Sequence, residues 1–284
     1  MLRSGIPIFL SPTEYEACRR KLAAKQWLWD RYASARRDSL LTRMYYDWWV
    51  SEMLREVPPD QCGPILELMC GGAEISRRLP SRFASVVAFD LNVVMLERAA
   101  RELGRLGESR VTFVGGSADR LPFPDGSIPV VMVQGGLHHV KPILASVLRE
   151  VARVLAPDGI VVASEPANDN RVIRRFRQWQ YTRSNMHGEG EQGFVRAELA
   201  GRLFEAGLRL RRYRRFGFLG YMLMGNTDLL PVLANCSWAW LGRALLFADT
   251  LQARVPLLRG LLFASLFIAA REDTQRLLSP FRES

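Results

Sequence analysis

ILELMCGGAEIS, running from Ile65 to Ser76, is the stretch on which the reading of the chain turns. It begins as an apolar run, carries Glu67 inside that run, and ends in the tight pair Gly71-Gly72. That is how a strand looks when it turns abruptly towards a helix, here expected over residues 73 to 79. A turn that cradles a nucleotide would carry glycine where Met69 and Ala73 stand. The stretch is therefore a cofactor turn with two replacements, or an ordinary strand-to-helix connection.

Downstream the same grammar repeats. ASVVAFD (84–90) reads as a second strand followed by the helix NVVMLERAARELGRL, and VTFVGG as a third strand. IPVVMVQGG (128–136) reads as a fourth, followed by the helix KPILASVLREVARVL, and GIVVASEP (159–166) as a fifth. The helix RAELAGRLFEAG and the strands LRLRRYRRFGF and LFASLFIAARE complete the pattern. Short β-branched strands alternating with helices predict an α/β fold, a doubly wound Rossmann-like parallel sheet with helices on both faces.

Residues 13 to 57 contain no glycine or proline and read as helix, closed by Pro58-Pro59. The expected organisation is an N-terminal helical cap over 1–60, one domain over 61–273 and a tail over 274–284. Two helical or loop insertions interrupt the domain, a polar lid over 167–193 and an apolar segment over 219–258.

Composition bounds the function classes. With 284 residues, 48% hydrophobic and 24% charged, the chain has the make-up of a folded domain rather than a disordered one. The net charge of +10 invites a nucleic-acid reading, yet the basic residues are almost all arginines, only Lys21, Lys25 and Lys141 being lysines. They are spread along the chain with no nucleic-acid motif, so a solvated basic surface is expected and no nucleic-acid partner. Such a surface can still attract acidic substrates or anionic lipid. Cys18, Cys62, Cys70 and Cys236 form no paired motif, which argues against a disulfide framework or a zinc site and for a reducing cytoplasm. The longest apolar run, Gly260 to Ala270, is too short to span a bilayer, although segment 219–258 leaves a peripheral membrane contact open.

In a doubly wound sheet, ligands sit beyond the carboxyl ends of the strands where the strand order reverses. The ends to inspect are Glu67 to Ala73, Asp90, Ser117 to Asp119, Gln134 to His139, and Glu165. Asp90 follows Gly71 by 19 residues, where a carboxylate accepts hydrogen bonds from a ribose diol or, alternatively, caps the next helix. Counting from Gly71, the dinucleotide spacing of glycines meets Ala73 and Ser76. No pyrophosphate cradle is visible, which excludes a nicotinamide dinucleotide and leaves a nucleoside cofactor without phosphates.

These residues carry a resemblance. The span from about 64 to 165 is similar to the core of class I S-adenosylmethionine-dependent methyltransferases, and most to the quinone-pathway and small-molecule members. ILELMCGGAEIS corresponds to their first motif, VVAFDLNVVMLERA to the acidic ribose strand, GGSADRLPFPDGS to the adenine loop, and GGLHHV with REVARVLAPDGIVVASEP to the fourth and fifth strands. The sequence departs from the family pattern at Met69 and Ala73, at Ser117 where an acid is usual, and at Pro129 where the fourth strand usually has Asp.

The resemblance implies the seven-stranded methyltransferase sheet and S-adenosylmethionine as cofactor, with S-adenosylhomocysteine as product. By it, Glu67, Met69, Cys70 and Gly71 border the methionine part, Asp90 and Leu91 the ribose, Ser117, Ala118 and Asp119 the adenine, and Gln134 the sulfonium. His139, slightly ahead of His138, is the expected general base, with Glu165 orienting it; one of the two histidines is expected to be a packed helix-entry residue. Trp27, Tyr45, His187 and Tyr221 are the expected walls of a hydrophobic small-molecule acceptor site. His187, Glu189 and Glu191 have metal-like spacing, but the glycines among them favour a solvated lid, so no metal is expected. The arginines of LRLRRYRRF read as a solvated strand face.

The expected activity is methyl transfer, most simply to oxygen. The competing expectation is a protein that binds the cofactor without transferring methyl, either a regulatory subunit or a cyclase or isomerase, and the sequence leaves monomer and homodimer open.

Overall fold

A computed structural model describes residues 1–23, 39–183, 192–225, 233, 236–255 and 261–272 of the chain. Its centre is a nine-stranded sheet. The strands are β1 (Leu2–Arg3), β2 (Ile6–Phe9), β3 (Pro64–Leu68), β4 (Ser85–Asp90), β5 (Val111–Gly116), β6 (Ile128–Gln134), β7 (Leu155–Pro166), β8 (Leu208–Phe216) and β9 (Ala264–Arg271). They lie in the order β1-β2-β5-β4-β3-β6-β7-β9-β8. β3, β4, β5, β6 and β7 run parallel, and β9 enters antiparallel between β7 and β8. The chain builds outward from β3 through β4 to β5, then returns to the other side of β3 with β6. The reversal lies between β3 and β6, the place beyond whose strand ends sheets of this kind take their ligands.

The helices among the described residues are α1 (Pro12–Ala23), α2 (Leu40–Leu54), α3 (Val93–Arg105), α4 (Leu144–Val154), α5 (Arg171–Arg183), α6 (Arg196–Glu205), α7 (Leu219–Leu223) and α8 (Ala239–Arg254). The two-residue period of the strands sorts their side chains into two cores. Ile65, Val86, Ala88, Val130, Met132, Ile160, Val162, Leu266 and Ile268 join one face, together with Tyr45 and Trp49 of α2 and Leu96 and Ala99 of α3. Leu66, Leu68, Val131, Val133, Val161, Ala163, Phe267 and Ala269 join the other, covered by Val147 and Val151 of α4 and Leu199 and Leu203 of α6. Burial on both faces explains why these strands read as unbroken apolar runs.

Four expectations change. The helix expected over 73–79 is a series of turns, because Gly71 at φ 51° and Ala73 at φ 59° adopt the left-handed conformation, which ends helical propagation before it starts. The long helix expected over 13–57 is broken at Ser39, whose backbone is extended: α2 starts there at an N-cap where Ser39 Oγ accepts the Thr42 N–H, while α1 covers Pro12–Ala23 and residues 24–38 lie outside the described residues. Residues 1–60 are not set apart as a cap, since β2 adds to the sheet through Ile8 and Phe9 beside Gly115 and Gly116, and α2 lies in the main core.

The arginines of β8 are divided: Arg209 and Arg211 are exposed, as a solvated face would be, whereas Arg212 and Arg214 turn to buried carboxylates. Arg212 reaches Glu56 at 2.8 Å, and Arg214 reaches Glu56 at 3.0 Å and Glu52 at 2.9 Å. Glu52 lies on α2 and Glu56 just past its end, and both are buried, so the strand and helix are clamped by paired charges.

Candidate active site

Glu67, on β3 with Ala88 and Met132 as its lateral neighbours, is buried under the turn that follows the strand. Ser76 Oγ donates to its Oε2. Burial pushes the Glu67 carboxyl up to about 8, the Ser76 hydrogen bond works against that, and the charges of Asp90 and Glu74 add to it. A carboxyl held in this state is a receptor for a cation, because a positive group beside it returns it to the ionised form. Ser76, which the sequence shows only as a residue in a glycine's place, is thus part of the site.

The turn resolves the question posed by its composition. Met69 has φ 61°, Gly71 51° and Ala73 59°. Every second residue is left-handed, the conformation for which glycine would be chosen, and two of the three positions hold side chains at a strain of about 1–2 kcal/mol each. Ala73 therefore does not keep the negative φ its side chain would prefer. A Cβ built at Gly71 meets nothing within 4 Å, so the turn presents open space at that residue. Met69 turns its side chain aside: a Cβ on Gly136, beyond β6, would lie 2.6 Å from the Met69 sulfur. Cys70 keeps only its backbone at the turn; its thiol is buried in the core, and burial raises its pKa well above the ordinary value.

Asp90, at the end of β4, ties the turn down. Its Oδ2 accepts the Gly71 N–H at 2.8 Å and its Oδ1 accepts the Asn92 N–H at 2.7 Å. Burial raises its pKa, and hydrogen bonds from Asn92 and Gly71 oppose that rise. Helix capping falls to Asn92 instead, whose Oδ1 accepts the Met95 N–H and begins α3. Each Asp90 oxygen retains a second lone pair, and the residue is only partly covered. Leu91 is exposed beside it. One strand further out, Ser117 donates to Asp119 Oδ1, and Ser117, Ala118 and Asp119 are all partly exposed at the end of β5.

Across the reversal, Gln134 ends β6 opposite Ser164 of β7, which sets Glu165 beneath the turn 135–138. Glu165 Oε1 accepts the N–H groups of Gly136 at 2.9 Å and Leu137 at 2.7 Å. Its Oε2 accepts the His138 N–H at 3.3 Å and lies 2.8 Å from His138 Nδ1. A carboxylate only accepts, so Nδ1 carries the proton and Nε2 is the basic nitrogen of the neutral ring. His139 is exposed, its ring centroid 4.0 Å from that of His138. The pairing expected for His139 is made by its neighbour, because the short 3-10 turn over Leu137–Ile143 aims consecutive side chains in different directions.

Of the expected acceptor walls, Trp27 and His187 lie outside the described residues. Tyr45 is wholly buried, its ring within 6.0 Å of those of Tyr46, Trp48 and Trp49, so it belongs to the core beneath the site. Tyr221 is partly exposed and stacks on Phe263 at 5.8 Å, next to Trp49 at 6.0 Å. Trp49 Nε1 donates to Ser164 Oγ at 3.0 Å, which seats α2 on β7 one residue before Glu165. Arg177 of α5 was not a candidate from sequence. It is buried, and its guanidinium donates to the backbone carbonyl of Ala167 and the side-chain Oδ1 of Asn168, each at 2.7 Å, and to the backbone carbonyl of Phe263 at 2.5 Å, holding the chain as it leaves β7. Among the described residues, no group of three or more His, Cys, Asp or Glu side chains is placed to hold a metal ion.

With this geometry in hand, comparison with known proteins gives a consistent picture. Residues 65–159 match the family described as a methyltransferase domain. The demethylmenaquinone methyltransferase of Clavibacter sepedonicus is 36% identical over 140 residues, 49% of this chain and 56% of that protein. The chain thus spans about half the length of the curated relatives it matches. Among solved structures, the geranyl diphosphate C-methyltransferase of Streptomyces coelicolor A3(2) is similar over 79% of this chain and 79% of its own, with a TM-score of 0.55 and 15% identity. The [4+2]-cyclase SpnF is similar over 79% of this chain and 80% of its own, with a TM-score of 0.55 and 18% identity. These two likenesses concern the fold, which serves both reactions.

Proposed function

We propose that this chain, which carries a class I S-adenosylmethionine-dependent methyltransferase domain, transfers the cofactor's methyl group to an oxygen of a hydrophobic small molecule. The observation that carries the reading is the convergence of Glu67, the left-handed turn at Gly71 and Asp90 on one side of the strand reversal, with the His138–Glu165 pair on the other. The names of the curated relatives support a quinone-like acceptor.

The residues fit the cofactor. Glu67 suits its ammonium, the open backbone at Gly71 its chain, the remaining lone pairs of Asp90 its ribose diol, and Ser117 to Asp119 its adenine. When bound, S-adenosylmethionine supplies a methyl group made electrophilic by a positively charged sulfur. His138 Nε2 takes the acceptor hydroxyl's proton while Glu165 holds Nδ1–H and stabilises the imidazolium. The base in this reading is His138 rather than His139. Much of the rate comes from holding the two reactants in line, which α2 and Tyr221 assist by closing the apolar side.

Glu67 makes binding pH-dependent. In the ligand-free protein its carboxyl is protonated up to about pH 8. The stability this contributes is complete below the ordinary value of 4.5 and is lost as pH rises through about 8. Pairing with an ammonium ionises the group and releases a proton, so affinity should strengthen by up to about tenfold per pH unit between roughly 6 and 7.5. Titration calorimetry at neutral pH in buffers of different ionisation enthalpy should show nearly one proton released, and Glu67→Gln should abolish it. Release of S-adenosylhomocysteine on incubation with apolar quinol or phenol acceptors, followed by mass spectrometry, tests the transfer itself. Cofactor binding with no such release across these acceptors would leave a binding protein or a cyclase.

Gly71→Ala separates the turn's two tasks. Because Met69 and Ala73 already hold the same backbone conformation, the fold should lose only about 1–2 kcal/mol in a urea melt. Affinity for S-adenosylmethionine should fall at least about tenfold, since the methyl enters the space the ligand needs.

A further inference from the structure

The side of the molecule built by α5, α7 and α8 carries features that the methyl-transfer reading does not use. Along α8, Trp240, Phe247 and Leu251 recur on one helix face, with Trp238 just ahead. They are 64%, 69%, 52% and 59% exposed, in a protein whose other large apolar side chains are mostly buried. Trp238 and Trp240 stack on each other at 5.9 Å with no part in the core. Arg243 is exposed on the same face, and the helix's one acid, Asp249, faces inward. Asp249 accepts the N–H groups of Phe218 at 3.1 Å and Gly220 at 3.1 Å, pinning α7 to α8.

Helix α5 repeats the composition. It contains no acidic residue, and Arg171, Arg174 and Arg175 with Val172 and Gln178 line an open cavity of about 630 Å³. Trp179 projects from the same helix, half exposed. An aromatic seam joins α5 to α7, to which Asp249 pins α8: Phe176 of α5 meets Phe263 edge-on at 5.8 Å, and Phe263 stacks on Tyr221 of α7.

We propose that this face docks on an anionic lipid bilayer, with Trp238, Trp240, Phe247 and Leu251 entering the headgroup boundary and Arg243, Arg171, Arg174 and Arg175 meeting lipid phosphates. Tryptophan beside arginine, on two helices whose described residues expose no carboxylate, is the chemistry of a membrane interface. No helix among the described residues is long and apolar enough to cross a membrane, so the contact is peripheral. Charge also argues against a second copy as the occupant, because two chains of net charge +10 would meet arginine to arginine. The proposal goes beyond the catalytic reading and does not depend on it.

The experiment is co-sedimentation of the full chain with vesicles of phosphatidylcholine alone or mixed with phosphatidylglycerol. Wild type should pellet with the anionic vesicles and be released by high salt. The triple variant Trp240→Ser, Phe247→Ser, Leu251→Ser should lower the partition coefficient by about tenfold or more. Its circular dichroism melt and its calorimetric affinity for S-adenosylmethionine should match wild type, because all three side chains are exposed. Arg171→Gln with Arg175→Gln should weaken the salt-sensitive part of binding alone. Failure of wild type to bind anionic vesicles, or undiminished binding by the triple variant, overturns the proposal. So does a concentration-dependent dimer in sedimentation velocity that the triple variant abolishes, which would make the face a contact between copies.

Discussion

Glu165→Ala should destabilise the fold by about 3–5 kcal/mol and, in protein that still folds, remove most turnover. The carboxylate is buried and accepts the N–H groups of Gly136, Leu137 and His138 in addition to facing His138 Nδ1. Deleting it leaves several buried donors without an acceptor, each at about 1–3 kcal/mol, discounted because the turn relaxes as a unit. Urea unfolding of the two proteins checks the magnitude, and a loss below about 1 kcal/mol would mean that the turn is held by other contacts. His138→Ala separates structure from chemistry. It keeps the three backbone contacts, so its stability should fall by only about 1–2 kcal/mol while turnover drops by about 10² to 10⁴. His139→Ala, whose ring is exposed, should lose far less.

Asp90→Ala should weaken S-adenosylmethionine binding by about 10² to 10³. Two losses combine. The carboxylate supplies the acceptors for the ribose diol, each charge-assisted hydrogen bond worth about 1.5–3 kcal/mol. It also fixes the turn by accepting the Gly71 and Asn92 N–H groups, so without it the open space at Gly71 is no longer held in shape. Asp90→Asn keeps one acceptor oxygen and should fall between wild type and alanine. Titration calorimetry reads all three, and unchanged affinity in Asp90→Ala would remove this residue from the cofactor site.

Six of the seven strands of the domain, all but the arginine-rich β8, were legible because each is an apolar run whose alternate residues go to opposite cores, a pattern that needs no partner to be seen. β1 and β2 were not. Ile6 to Phe9 is only four residues, and it becomes a strand because Gly115 and Gly116 leave room for it; a Cβ at Gly115 would lie 3.2 Å from Ile8. The helix expected after Gly71 failed for a local reason, since the left-handed backbone at Ala73 is imposed by the turn against the residue's own preference. On β8, the sequence shows arginines but not that Glu52 and Glu56 wait opposite, more than 150 positions away. The site residues at strand ends were legible from position, whereas the partner of Glu165 depended on the register of Gln134 with Ser164. Asn92 in place of Asp90 as helix cap was a matter of two residues, beyond what spacing resolves.

Met69 gives the site a mechanical property. Its side chain occupies the hollow above Gly136, so the loop after β3 and the loop after β6 fit together as tongue and slot. One loop bears Gly71 and the other leads into His138, so the Met69–Gly136 contact couples the turn that faces the cofactor to the turn that carries the imidazole. Any residue larger than glycine at 136 must displace the methionine, so position 136 is held to glycine for as long as Met69 fills that hollow.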